Sequence, residues 1–192
     1  MLIVGLGMIG GSLAAGLKAS GYRGRVLACD RDPDEIAKGL EMGVIDAGGP
    51  ELEVWVAQSD IVVLAVPVLA MASVFERLAG CLGERILTDV GSTKGAVCEA
   101  AALAFGRLPS RFVPGHPIAG SEKSGVAAAN PALYRRHKVI LTPQAETDRD
   151  AVDQVRGLWQ GLGAEVLEMS VERHDQVLAR TSHLPHLSLI HI

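Results

Sequence analysis

The chain has 192 residues, 48% of them apolar, 21% charged and only 4% aromatic, with 22 glycines and a net charge of −4. That composition excludes a disordered chain and suffices for one buried core with the beginning of a second unit. The lack of a basic run weighs against nucleic acid or an anionic membrane surface as partner. No stretch reaches the ~18 apolar residues of a membrane span, and no basic region ahead of an apolar stretch suggests a signal peptide.

Apolar runs recur along the chain at 2–6, 25–30, 60–66, 85–90, 111–115, 138–142 and 165–169. Most are continuous rather than alternating, which predicts strands buried on both faces. Between them, helical spacing covers Gly10 to Ser20, Pro33 to Met42, 69–80, 94–106 and 147–162. Pro33 with the acids after it makes a good helix start. Strand alternating with helix predicts an open α/β sheet with right-handed crossovers. Ser170 then starts a further helix, with Glu172 in its first turn and apolar positions at Val177, Leu178 and Leu184. That helix runs out in apolar residues without a cap. The reading therefore expects one α/β domain over 1–169 and, over 170–192, the incomplete start of an all-helical domain or a foreign tail. Cys29, Cys81 and Cys98 show no CxxC or zinc spacing, and are read as reduced core thiols of a cytoplasmic protein.

The stretch "GLGMIGGS" at 5–12 contains G-x-G-x-x-G at Gly5, Gly7 and Gly10, directly after a predicted strand and opening a helix. Asp30 ends the next strand, 20 residues after Gly10. This is the context of a dinucleotide fingerprint in a Rossmann-type doubly wound, mainly parallel sheet. Gly5 permits the turn, Gly7 the approach of a pyrophosphate and Gly10 close helix–strand packing. Met8 and Ile9 lie between them at the helix start that faces the phosphates. Asp30 would accept from the ribose hydroxyls and repel a 2′-phosphate, which favours NAD, while the neighbouring Arg31 leaves NADP open. Two more strand ends fall on the same edge. "LAVPV" places Val66 and Pro67 there, and "LTDVGSTKG" places Asp89, Gly91, Ser92 and Lys94 after a strand and at a helix start. Ser92 is read as a helix cap whose hydroxyl can also face a nicotinamide.

"HPIAGSEKSG", 116–125, sets a histidine between a strand end and a glycine-rich turn. By residue type alone, His116 is either a buried packing histidine or a proton-transfer group at the mouth of the sheet. His137 and His174 read as solvated, and Lys94 and Lys123 as surface charges near enough to attract an anionic substrate. His183 and His186 have the spacing of half a zinc site without an evident third ligand, so no metal is expected.

Taken in order, "GLGMIGGSLA", "DVGSTK", "HPIAGSEKSG" and "SHLPH" resemble the prephenate dehydrogenase family, which includes arogenate and cyclohexadienyl dehydrogenases. The resemblance implies NAD-dependent oxidative decarboxylation of prephenate to 4-hydroxyphenylpyruvate in tyrosine biosynthesis. It makes His116 the catalytic histidine and Ser92 the serine that contacts it near the nicotinamide. It puts Glu122 and Ser121 at the substrate entrance and His183 and His186 on the substrate side. It also implies a homodimer, and a helical domain that closes the site and supplies an arginine for a substrate carboxylate. Two other readings stay open: a different short-fingerprint reductase, of the β-hydroxyacid dehydrogenase or pyrroline-carboxylate reductase type, and a non-catalytic dinucleotide-binding fragment. "HPIAGSE" is not expected in the former, whereas the abrupt chain end favours the latter.

Overall fold

The structure, a computed structural model, describes residues 1–120 and 122–179. Six strands form a wholly parallel sheet: β1 (Leu2–Val4), β2 (Leu27–Cys29), β3 (Ala47–Gly49), β4 (Ile61–Leu64), β5 (Ile86–Asp89) and β6 (Phe112–Val113). Their spatial order is β3-β2-β1-β4-β5-β6, the doubly wound arrangement whose direction of winding reverses between β1 and β4. Val4 is in register with Cys29 on one side and Leu64 on the other. Successive strand residues face opposite layers. Thus Ile3, Ala28 and Val63 join one core, while Leu2, Val4, Leu27 and Leu64 join the other.

The helices follow from amphipathic spacing. These are α1 (Met8–Ala19), α2 (Pro33–Glu41), α3 (Leu52–Val56), α4 (Val68–Ala79), α5 (Lys94–Phe105), α6 (Arg149–Gly161) and α7 (Val171–Leu178). Helix α2 starts with Asp32 accepting from the Asp34 amide at 2.9 Å and Pro33 in its first turn. One layer centres on α1 and α6, with Leu13, Leu17, Val155 and Trp159 buried; the other includes Phe75 of α4 and Val97 of α5. Each fully buried side chain of this size stabilises the fold by about 1.5–3 kcal/mol.

The structure departs from the sequence reading in two places. β3 and α3 were not expected, because "DAGGPELEVWV" lacks a continuous apolar run. In addition, the last strands do not extend the first sheet. β7 (Gly115–Pro117), β8 (Lys138–Leu141) and β9 (Glu165–Glu168) form a separate three-stranded sheet, with β7 antiparallel to β8 and β8 parallel to β9. The physical break is Pro114. It has no N–H to extend the β6 ladder, and its carbonyl accepts from the Thr142 amide at 2.9 Å, next to β8. His116 thus sits just past the junction of two sheets.

α7 begins where expected, with Ser170 accepting from the Arg173 amide at 3.2 Å, and lies against α5. Ser121, Leu184, His183 and His186 lie outside the described residues. The three cysteines are free thiols, Cys29 buried and the other two half-buried. Among the described residues no helix is long and apolar enough to cross a membrane.

Candidate functional site

The carboxyl ends of β1 and β4 meet where the strand order reverses, and ligands of such sheets lie outside that point. Gly5 has φ +94°, and a Cβ there would stand 2.6 Å from the Ala65 carbonyl oxygen. At Gly10 a Cβ would stand 2.0 Å from the Gly5 carbonyl oxygen. Gly7 differs, because a Cβ there would meet nothing within 4 Å. Gly7 is the N-cap of α1, and no described side chain caps that helix. The first amides of α1, at Met8, Ile9 and Gly10, therefore stand at an open, positively polarised helix start.

Asp30 follows β2 directly. Its carboxylate accepts from the Leu6 amide at 2.6 Å and from the Asp32 amide at 2.9 Å. Those bonds pin it beside the glycine turn and leave its other lone pairs as acceptors. Arg31 is exposed, and Val66 and Pro67 follow β4 on the same edge. An uncapped helix start, a glycine without steric neighbours and a fixed carboxylate fit a dinucleotide, with its pyrophosphate at α1 and a ribose diol at Asp30.

The segment beyond His116 is tied to this crevice. Glu35 of α2 accepts from the Val126 amide, Tyr134 donates to the Ile9 carbonyl at 2.7 Å, and Ser12 accepts from the Asn130 amide at 2.9 Å. Glu122 is exposed on the loop after β7.

His116 is half-buried in β7, in register with Ile140. Two sets of groups hold it. The first is a buried ion pair between Asp89 and Lys94, both with 0% side-chain exposure. Lys94 Nζ also donates to the Gly115 carbonyl at 2.6 Å, while Asp89 accepts from the Gly91 amide at 2.8 Å and the Gly115 amide at 3.1 Å. The end of β5 and the start of α5 thereby grip both polar groups of the residue before His116. The second set is on α7. His116 Nδ1 lies 2.9 Å from His174 Nε2, and His174 Nδ1 lies 2.7 Å from Asp175 Oδ1. Asp175 accepts in addition from the amides of Lys94 and Gly95, at 2.9 Å each.

The electrostatics follow from this packing. Burial lowers the His174 pKa from its ordinary value, against the opposing pull of Asp175. Desolvation raises the Asp175 carboxyl, but the His174 bond and the Gly95 and Lys94 amides outweigh it and leave it below the usual range. Burial pushes the Cys98 thiol, one turn along α5 from Lys94, up to about 11, so it is no ready thiolate.

Four sequence expectations need correction. His174 is not solvated but fully buried. Lys94 is not a surface charge, because its ammonium is used inside the fold. The buried Asp89 carboxylate, one of the expected cofactor contacts, is taken up by Lys94, Gly91 and Gly115 instead. Ser92 is exposed and does not cap α5; Thr93 holds the cap position, and Asp175 takes the helix-start amides from outside. The missed residues are His174 and Asp175. A signal was present, since His174 stands three residues after Val171 and four before Leu178, on the face that α7 buries.

Comparison with known proteins agrees with this geometry. The sequence model of the family described as "Prephenate dehydrogenase, nucleotide-binding domain" matches residues 13–168. Prephenate dehydrogenase of Bacillus subtilis is 41% identical over 198 residues, covering 100% of this chain and 53% of that protein. Cyclohexadienyl dehydrogenase of Zymomonas mobilis is 38% identical, covering 96% of this chain and 63% of that protein. A crystal structure of prephenate dehydrogenase from Aquifex aeolicus, in complex with hydroxyphenyl propionate and NAD+, superposes with a TM-score of 0.91 at 39% identity. That match covers 97% of this chain and 65% of the other. The chain spans about half the length of the Bacillus and Lactococcus relatives it matches. With a glycine turn, a fixed Asp30 and a histidine at the sheet junction all in one matched fold, the chain belongs to the prephenate dehydrogenase family and carries its nucleotide-binding domain.

Proposed function

We propose that this chain is the dinucleotide-binding part of an NAD-dependent dehydrogenase that oxidatively decarboxylates prephenate to 4-hydroxyphenylpyruvate. The observation that carries the reading is His116, held half-buried just past the end of the parallel sheet by bonds to both its neighbouring main chain and its ring. Gly5, Gly7, Gly10, Met8 and Ile9 would receive the pyrophosphate, and Asp30 the adenine ribose, with Val66, Pro67 and Gly91 lining the strand-end edge. The bound dinucleotide supplies the acceptor for a hydride from the ring carbon that bears the hydroxyl. His116 takes the hydroxyl proton as that carbon becomes a carbonyl. Loss of carbon dioxide then sends its electron pair into the ring, and the oxygen regains a proton as the ring becomes aromatic. Ser92 is assigned to the nicotinamide end and Glu122 to the substrate; the family resemblance assigns substrate contacts also to Ser121, His183 and His186, which lie outside the described residues. The substrate is a small dianion, prephenate or its amino counterpart arogenate, and the full protein works in the cytoplasm as a homodimer.

The test is NADH formation from NAD+ and prephenate, read by absorbance, for the chain and its His116→Asn variant. Activity lost by ~100-fold or more in the variant supports the reading, since general-base catalysis contributes about 10²–10⁴-fold. Oxidation of a 3-hydroxy acid with no response to prephenate overturns it. The chain spans about half of its relatives, which favours a second reading: nucleotide binding without turnover, recognised by NAD+ affinity in calorimetry with no NADH formed.

A further inference from the structure

The reading above uses the His174 contact only as a hold on the His116 ring; buried His174 and half-exposed Asp175 also constrain where its proton lies. The possible proton positions can be traced from one end. The amides of Lys94 and Gly95 can only donate, so Asp175 accepts from both as a carboxylate. A carboxylate 2.7 Å from His174 Nδ1 requires a proton on that nitrogen. A neutral imidazole has one N–H, so His174 Nε2 then carries a lone pair. At 2.9 Å from His116 Nδ1 it can only accept. We propose that His174 and Asp175 are positioning residues that fix the His116 proton on Nδ1 and thereby put the lone pair on Nε2, the nitrogen that receives the substrate proton. This rests on the reading of His116 as the base.

The alternative is a protonated His174, which would donate from both nitrogens and force the opposite His116 tautomer. Two features weigh against it: His174 is fully buried, which disfavours its charged form, and the ammonium of Lys94 opposes a second cation there. The groups that act on His174 are Asp175 on α7 and Lys94 and Asp89 from the β5–α5 turn; Glu172, on the same helix, is exposed. Once His116 accepts a proton on Nε2, its Nδ1–H donates more strongly to His174, with Asp175 behind, so the pair also favours the imidazolium. The rings meet edge-on at 61° with centroids 5.1 Å apart, so the bond fixes the ring's tilt along with its tautomer.

Asp175 also serves α5 as a cap, so the test needs a readout that simple stability does not move. In the 192-residue chain labelled with ¹⁵N-histidine, long-range proton–nitrogen correlation assigns each tautomer directly. The wild type is expected to show His116 protonated on Nδ1 above its titration midpoint. In His174→Leu the tautomer should shift toward Nε2–H, and the His116 midpoint should fall by ~0.5 pH or more. In His174→Gln the amide oxygen can still accept from Nδ1, so the wild-type tautomer should persist. Prephenate-dependent NADH formation, followed in parallel, should fall at least ~10-fold in kcat in the Leu variant with KM for NAD+ unchanged, and be largely rescued by Gln. An Nε2–H tautomer in the wild type, or a His116 midpoint and tautomer identical in wild type and the Leu variant, overturns the proposal. The nitrogen assignment needs no substrate. Oxidation of a 3-hydroxy acid with no response to prephenate therefore refutes the dehydrogenase reading, while the tautomer still decides this one.

Discussion

Lys94→Met isolates the brace between the two sheets. The wild-type ammonium is fully buried and bonds both Asp89 and the Gly115 carbonyl. Methionine fills nearly the same space, so the substitution removes charge with little change in volume. Asp89 would remain a buried carboxylate with two amide donors, Gly91 and Gly115. Breaking a buried pair by removing one partner costs about 3–5 kcal/mol, and the two remaining donors place this case near ~3 kcal/mol. For a chain of this size each kcal/mol moves the melting temperature by about 2–4 °C. A fall of about 6–12 °C is therefore expected by circular dichroism. Adding Asp89→Asn to Lys94→Met removes the stranded charge, and the double variant should recover much of the loss. The reasoning is refuted by a Lys94→Met melt within ~2 °C of the wild type, or by a double variant less stable than the single one.

The glycines of the fingerprint should separate stability from binding. Gly10→Ala drives a methyl against the Gly5 carbonyl at 2.0 Å, and should unfold or grossly destabilise the domain in a thermal melt. Gly7→Ala meets nothing within 4 Å, so it should melt like the wild type yet bind NAD+ at least ~10-fold more weakly in calorimetry, about 1.4 kcal/mol; unchanged affinity would place the pyrophosphate elsewhere. His174 gives a pH signature. Burial lowers its pKa below the ordinary 6.5, so below that pH the unfolded chain binds a proton that the folded chain does not. Its contribution to stability is full above about 6.5 and declines as pH falls toward the folded midpoint. Melts taken from pH 7.5 to 5 should show this decline, and His174→Gln should flatten it; equal slopes in both proteins would mean that His174 titrates normally.

The parts of this molecule legible in the sequence were those that depend on local backbone geometry. Gly5 and Gly10 are required by contacts within a few residues or with the adjacent strand end, and Asp30 follows at the spacing that a βαβ unit imposes. The β3 edge strand was illegible because Ala47, Gly48 and Gly49 carry no apolar or β-branched signal. The second sheet was hidden for a different reason: the β7, β8 and β9 runs look like further buried strands, and only the pairing partners reveal the change of sheet. Lys94, Asp89 and His174 share the hardest problem. A polar residue that is buried and fully bonded has the same letter as one in water, and its partners lie 5, 21 and 58 residues away.

The long separations also explain how the site is built. Nothing in residues 114–117 alone orients a histidine, since β7 is a three-residue strand that follows a proline. Its main chain is set by the first sheet, through Asp89 and Lys94, and its ring by α7, through His174 and Asp175. The family match covers residues 13–168, so the ring's partners, His174 and Asp175, lie outside the matched stretch. Asp175 joins the two arrangements, because the amides it accepts belong to Lys94 and Gly95, and Lys94 is the residue whose side chain grips Gly115. A displacement of α7 therefore acts on His116 twice, by releasing its ring and by uncapping the helix that carries its brace. This arrangement makes the geometry of His116 sensitive to whatever packs on α7, while the glycine turn, held by the ends of β1, β2 and β4 and by Asp30, keeps its own shape.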